Sequence, residues 1–552
     1  MESESLVGSG SKSPPPDYGT NREQSGNSGS PSQAGPAGPH EDGDDPNVAD
    51  MARGSVCPLS ACQVVLVVVA ALMATLAVAM LAGGYQAMMR YAVNQQLVIK
   101  EGSTAYDIWK ETPVPLSLRL HVFNLTNPDE VQKGYKPILE EVGPYVWREY
   151  HEKRNVSFHP NSTVTYLQQR WWVWDQEASG NCSQDDPILT LNTIPVAAAY
   201  AMKYTVYQYA LQLALNMVNE KLFVSTTAQE LVFDGVKDPL LDWIQHNVVS
   251  ENGSYHFLLP ILEGTGGGIT KFEKFAWFYK RNLSLTYDGV FNMMTGQDTI
   301  DNLGKIDNWN GRNATSFYTP PCNQLTGSAG ELFPPQLSQK DLVFFSSDLC
   351  MSAKLFYNGT QDHGGLNSYR FWGTNHTFAN GSTIPGNECY CVGSTCAPMG
   401  LLNAESCRMG APAFVSFPHF YAADPFLLSG VYGLHPDEKK HSFYMDLVPG
   451  LGVPAAVSVK LQINIHLRPN PSISLLKDVP DVFLPMLWFE VRAEMTPEMA
   501  SQVKMLIYFM SSSAISIGVW VVVLLVAALM VLGVLLYNRY RREPPYQLIE
   551  ET

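Results

Sequence analysis

The sequence predicts an α+β membrane protein in which two transmembrane helices flank one large lumenal or extracellular domain of antiparallel strands. Three observations predict it. Two long apolar runs without a charge lie towards the two ends of the 552-residue chain. Ten Asn-x-Ser/Thr sequons all fall between those runs. The segment between them also contains stretches that alternate apolar and polar residues with period two, the spacing of a half-buried strand.

Residues 1–60 come first and are read as a disordered cytoplasmic tail. Ser, Gly, Pro and Asp dominate them, and nine acidic side chains up to residue 53 face only Lys12, Arg22 and Arg53. Such a composition cannot bury enough apolar surface to offset its ordering entropy. No cleavable signal pattern precedes the first span, which is therefore expected to act as an uncleaved signal anchor. That span, residues 61–89, is centred on VVLVVVAALMATLAVAML (64–81). Eighteen or more uncharged residues are enough to cross a hydrocarbon layer about 30 Å thick. Cys57 and Cys62 at its cytosolic mouth suit reversible palmitoylation, with plain membrane-edge cysteines as the alternative.

Residues 90–506 hold no low-complexity linker and no repeat, and are read as one exported domain. The sequons at Asn124, Asn155, Asn161, Asn181, Asn252, Asn282, Asn313, Asn358, Asn375 and Asn380 mark its surface as glycosylated. Six of the nine cysteines cluster at Cys322, Cys350, Cys389, Cys391, Cys396 and Cys407. An even set in an oxidising compartment reads as a disulfide framework with fifteen possible pairings. Zinc is the alternative, but the spacing lacks paired CxxC with matching His. Cys182 is read as unpaired.

LSLRLHVFNLT (116–126), NSTVTYLQQRWWVW (161–174) and VSVKLQINIHL (457–467) read as strands, with the three tryptophans as core filling. VAAAYAMKYTVYQYALQLALNMVNEKL (196–222) has no Gly or Pro and reads as helix. In TTAQELVFDGV, Thr226 or Thr227 caps a further helix, with Glu230 completing a capping box from Thr227. FDGVKDPLLDWIQHNV adds another short helix. No HExxH, GxSxG or Walker A signature is present, and GTGGGITK (264–271) has the wrong spacing for a phosphate cradle, so it reads as a flexible turn. His435 and His441 read as part of a surface loop. No enzyme, cofactor or metal is indicated, and a net charge of −16 argues against a nucleic-acid binder.

The second span occupies residues 507–537 and is followed at once by Arg539, Arg541 and Arg542, as expected of a cytosolic flank. With the sequons lumenal, both tails lie in the cytosol. The last segment, 538–552, contains Tyr546-x-x-Ile549, the spacing of a tyrosine sorting signal, after Pro544 and Pro545, which keep it extended. Such a peptide adds along the sheet edge of a clathrin adaptor while the two side chains fill separate pockets. A dileucine signal built from Glu543, Leu548 and Ile549 is one residue out of register.

AYDIWKETPVPL (105–116), HVFNLTNPDEV (121–131), EEVGPYVWREY (140–150), ILTLNTIP (188–195) and LVFFSSDLC (342–350) together resemble the class B scavenger receptor family. CRMGAPAFVSFPHFYAADP (407–425), LHPDEKKHSFYMDLVPGLGV (434–453), KLQINIHLRP (460–469) and LPMLWFE (484–490) extend the resemblance in family order across nearly the whole exported region. It implies a β-barrel with an apical helical bundle and a lipid-conducting tunnel. It also implies the pairings Cys322–Cys389, Cys350–Cys407 and Cys391–Cys396, the first two closing long loops worth up to about 4 kcal/mol each in a chain-entropy model. Lipids, sterols or lipoprotein-like particles are the implied ligands. The apex departs from the basic pattern of members that capture acidic particles, since Tyr200–Val236 offers only Lys203 and Lys221 against Glu220, Glu230 and Asp234. The tail and SFPHFYAADP resemble the lysosomal integral membrane protein branch, which implies an endolysosomal lipid-transfer receptor. The alternatives are a plasma-membrane lipoprotein receptor and a carrier that releases a lysosomal hydrolase on acidification through histidine titration.

Overall fold

The computed structural model describes residues 61–202, 205–254, 273–392, 395–408 and 410–541. Lys203, the GTGGGITK stretch, Cys57, Arg542, Tyr546 and Ile549 lie outside them. Residues 65–552 form one compact unit; of residues 1–64, only the first turn of a helix is described.

That helix begins at Ala61 and continues to Leu97 as α1 (Ala61–Ala79), one wide turn and α2 (Tyr85–Leu97). Gly83 in the wide turn has φ +118°, a backbone state that costs an L side chain strain. At the other end, α7 (Pro497–Ser511) runs into α8 (Ser513–Tyr540), with Ser512 capping the second. Both ends carry a helix long and apolar enough to cross a membrane, Ala61–Leu97 and Ile515–Tyr540. Their apolar side chains are turned outward, Leu72 and Leu529 each being 65% exposed, as a lipid-facing helix requires and a buried core helix would not show. The 37 residues of the first helix span about 55 Å at 1.5 Å per residue, well beyond a hydrocarbon layer of about 30 Å. The surplus pairs with α7, where the Tyr85 hydroxyl donates to the Phe509 carbonyl at 3.2 Å.

Between these helices lies a nearly closed antiparallel sheet of thirteen strands. In chain order its members are β1 (Leu116–Leu125), β2 (Leu139–His159) and β3 (Thr163–Trp174), then, after the small β4 (Pro187–Leu191) and β5 (Phe223–Thr227), β6 (Val290–Met294) and β7 (Ile306–Trp309). There follow β8 (Asp341–Ser346), β9 (Met351–His363), β10 (Leu366–Trp372), β11 (Leu402–Asn403) and β12 (Ala413–Ser416). The series ends with β13 (Tyr444–Val448), β14 (Val453–Leu467) and β15 (Val482–Glu494). The path β7-β6-β3-β2-β1-β15-β14-β13-β10-β9-β8 leaves β7 and β8 as edges. Residues 327–328 stitch them together. Ile306 donates to the Gly327 carbonyl, Ser328 donates to Val343, and Phe345 donates back to Ser328. Gly327 sits at φ +82° against the Val343 carbonyl, where a Cβ has no room. Closing the ring removes two unpaired edges that would otherwise invite another chain.

The strands expected from period-two alternation are β1, β3 and the second half of β14. Leu118, Leu120 and Val122 of β1 point into the barrel core, and so do Leu487 and Phe489 of β15. The tryptophans divide. Trp172 fills the core, but Trp171 lies on the outer face, stacked on the exposed Tyr150 at 5.3 Å, because successive strand residues must point to opposite faces.

Candidate functional site

The apex is an insert carried by the two-stranded sheet of β4 and β5. In place of one helix over 196–222, the chain makes α4 (Thr193–Ala201) and α5 (Thr205–Met217), and then re-enters a strand at Phe223. The predicted capping box forms: Thr227 Oγ1 accepts from the Glu230 N–H, and the Glu230 carboxylate accepts from the Thr227 N–H, both at 3.2 Å. The helix expected from FDGVKDPLLDWIQHNV begins at α6 (Pro239–Ile244), capped by Asp238. On α5, Tyr209, Leu213 and Met217 stand four residues apart and are 52–67% exposed, an apolar stripe on the outer surface.

One side chain ties the insert together. Asn192 caps α4 through its oxygen, and its amide nitrogen donates to Glu220 at 3.0 Å and to Asp238 at 2.7 Å. Glu220 also accepts from the Leu240 N–H, and all three side chains are buried. Burial, and then the neighbouring Asp238 charge, push the Glu220 carboxyl up to about 7. The acidic Glu220 counted at the apex from sequence is therefore not a surface charge.

Beneath α4 lies a cavity of about 360 Å³, the size of a small-molecule site. Ala197, Ala198 and Ala201 of α4 roof it, their small side chains leaving the space. Leu461 and Ile463 of β14, Val415 of β12 and Phe489 of β15 wall it with the inner faces of the sheet. The charged members of the wall are Arg281, Asp348 and Arg408. Arg408 donates to the Asp348 carbonyl at 2.6 Å. Arg281 is buried and binds both Asp288 (2.7 Å) and Asp348 (3.0 Å).

From Arg281 the charges continue across the inner faces of β2 and β3. Arg170 binds Asp288 at 2.9 Å and approaches Glu149 at 3.7 Å. Glu149 meets His151 at 2.5 Å, and Lys153 pairs with Glu331. Glu149, His151 and Lys153 share the face of Tyr145 and Trp147, which places them inside the barrel. Burial alone would raise the carboxyls of Glu149 and Glu331, but the cations beside them hold both below the usual range. Burial lowers the Lys153 amine. This belt separates the apolar cluster around Tyr145, Trp147 and Trp172 from a second one around Trp109 of α3 (Thr104–Lys110), Val164 and Tyr166, next to Ile99 at the foot of α2.

Other residues singled out from the sequence are placed as follows. Cys322–Cys389, Cys350–Cys407 and Cys391–Cys396 are bonded, while Cys182 and Cys62 are free. Asn155, Asn161, Asn181, Asn252, Asn282, Asn313 and Asn358 are exposed, and Asn124 and Asn375 are half-buried. Asn380 does not fit a glycan acceptor in the folded protein. It is 3% exposed, its amide donates to the Ala397 carbonyl and its oxygen accepts from Ser382. His441 is buried, against its reading as a surface residue, whereas His435 is exposed. The belt was not visible in the sequence at all.

The comparisons with known proteins agree with one another. A model of the CD36 family matches residues 66–537. Protein peste of Drosophila melanogaster is 33% identical over 415 residues, 74% of this chain and 71% of its own. Scavenger receptor class B member 1 of Rattus norvegicus is 34% identical over 409 residues, 73% and 75% of the two chains. Lysosome membrane protein 2 of Homo sapiens is 29% identical over 428 residues, 77% and 84%.

Proposed function

Because the chain belongs to the CD36 family of scavenger-receptor-like membrane proteins, we propose that it is a lipid-transfer receptor of endolysosomal membranes. It takes apolar cargo at the apex, shelters it beneath α4 and passes it towards the bilayer. The observation that carries this reading is the apolar cavity under the apical helices of a domain anchored by a helix at each end. Each sheltered methylene is worth about 0.8 kcal/mol against water. Passage onward is gated, since the charged belt crosses the inner wall between the two apolar clusters. On this reading the chain is a receptor, with glycans on a lumenal domain and both tails in the cytosol.

Purified protein in proteoliposomes is expected to speed fluorescent-sterol transfer above empty vesicles. Ala197→Trp, which fills the cavity from its roof, is expected to return the rate to that of empty vesicles. Transfer unaltered by the tryptophan overturns the cavity as the carrier.

The tail reading is tested separately. Tyr546→Ala with Ile549→Ala is expected to move the protein from lysosomes to the cell surface, as a lost adaptor contact would. An unchanged distribution by imaging removes the sorting signal and favours a plasma-membrane scavenger or lipoprotein receptor. The exposed stripe of Tyr209, Leu213 and Met217 favours one further reading, in which a lysosomal hydrolase docks on α5.

A further inference from the structure

A cluster of histidines lies on the outer wall of the barrel, away from the cavity and the belt. The residues Pro418–Phe420 and the segment 435–441 cross β1, β2, β14 and β15 there. His419 is 3% exposed and His441 4% exposed. His419 donates from Nε2 to Glu141 Oε2 at 2.6 Å, and its Nδ1 accepts the backbone N–H of His435 at 3.0 Å. His441 accepts the backbone N–H of Asp437 on Nδ1 at 2.9 Å. On each ring the Nδ1 lone pair is thereby already occupied by a backbone N–H. The two rings stack at 4.4 Å and 14°. His419 also holds φ +53°, a strained state for a residue other than glycine.

Several charged groups face this pair. Glu141 of β2 is shared with His121 of β1, whose Nδ1 lies 2.7 Å away and whose ring stacks on Trp488 of β15 at 3.8 Å. Burial alone would raise the Glu141 carboxyl, but hydrogen bonds from His121 and His419 hold it far below the usual range. One carboxylate can balance one imidazolium, not three. Lys460 of β14 opposes a further positive charge, and Asp437 and His435 face the pair from the segment itself. Burial, and then His419, push His441 from 6.5 down to about 4.

We propose that His435–His441 is an acid-released strap: a solvent proton added at Nδ1 of His441 expels the backbone N–H of Asp437, and the strap lifts from the barrel wall. The proton and the amide hydrogen cannot share one lone pair, and two stacked imidazolium rings repel. Since the closed state binds protons more weakly than the open one, closure is intact above pH 6.5 and is lost as pH falls towards 4. In an acidic compartment the strap would uncover the His121–Trp488 pair. The inference stands whether or not the cavity carries lipid.

Hydrogen exchange on the full-length glycoprotein in detergent tests it, with rates corrected for the intrinsic pH dependence. Between pH 6.5 and 4.5 the amides of His435 and Asp437 are expected to lose protection on the order of tenfold or more, while the amides of β14 keep theirs. His419→Gln with His441→Gln supplies oxygens that accept the same N–H groups without titrating, and is expected to abolish the response. Protection that holds to pH 4.5 in the wild type, a parallel loss in β14, or an equal loss in the double variant each overturns the proposal. Should that variant fail to fold, the wild-type comparison of strap and β14 decides alone.

Discussion

Arg281→Met is expected to destabilise the exported domain by about 3–5 kcal/mol, the range found when one partner of a buried ion pair is removed. The guanidinium is 4% exposed and lies 5.0 Å from the ring centres of both Phe278 and Tyr287. Methionine keeps most of that stem packing, so lost contact is a small part of the effect. The larger part is electrostatic. Asp288 keeps its bond to Arg170, but Asp348 loses the cation that binds both of its oxygens. A carboxylate left with only Arg170, at 3.9 Å, beside an apolar cavity must take up a proton or draw in water, and either outcome weakens the folded state. Denaturant unfolding in detergent measures the loss. Adding Asp288→Asn and Asp348→Asn to the variant is expected to recover much of it, since an unpaired charge costs far more than a missing pair. A loss below about 1 kcal/mol for the single variant would mean that water reaches the belt freely and that it is not a closed layer.

The belt also explains what the sequence could and could not reveal. β1 and β14 were legible because one face of each is apolar and the other polar, the pattern that period-two reading detects. β2 misleads the same reading. Glu149, His151 and Lys153 alternate with Tyr150 and Glu152, and a polar alternate face ordinarily means solvent. Here the polar face points inward: Arg170 stands opposite His151 on β3, while Glu331 and, through Asp288, Arg281 join from far along the chain. No local spacing carries that information. The end of α4 was hidden for a related reason: a run of helix formers without Gly or Pro gives propensity no cause to stop, yet Met202 leaves the helix at ψ 73°. The disulfide pairs followed from the family resemblance, and elimination among fifteen pairings would not have found them. His441 looked exposed beside Asp437, Glu438 and Lys440, yet it turns inward at the end of a single helical turn to meet His419.

The second large effect concerns pH and the apex. Glu220→Gln is expected to raise stability at pH 7.5 by up to about 3 kcal/mol, an advantage that disappears at pH 4.5. The sign follows from linkage. The Glu220 carboxyl has a value near 7 in the folded apex against 4.5 when unfolded, so the folded state binds the extra proton between those limits. Its stabilising contribution is therefore full below pH 4.5 and is lost as pH rises through 7. The protonated acid can donate to Asp238, itself raised by burial, and the glutamine amide can do the same at any pH. One accepted bond, from Leu240 or Lys221, is put at risk by the exchange, and this sets the gain below its upper limit. The His419–His441 strap runs the opposite way, loosening as pH falls, so the wild-type curve alone cannot separate the two. The difference between variant and wild type at each pH isolates Glu220, because the strap is common to both and lies on the barrel wall. A difference that is flat from pH 4.5 to 7.5 would show that Glu220 is ionised and hydrated in the folded apex, and the Asn192 hub would then be a surface contact. A difference that grows with pH would mean that the apical insert is held most firmly in an acidic lumen.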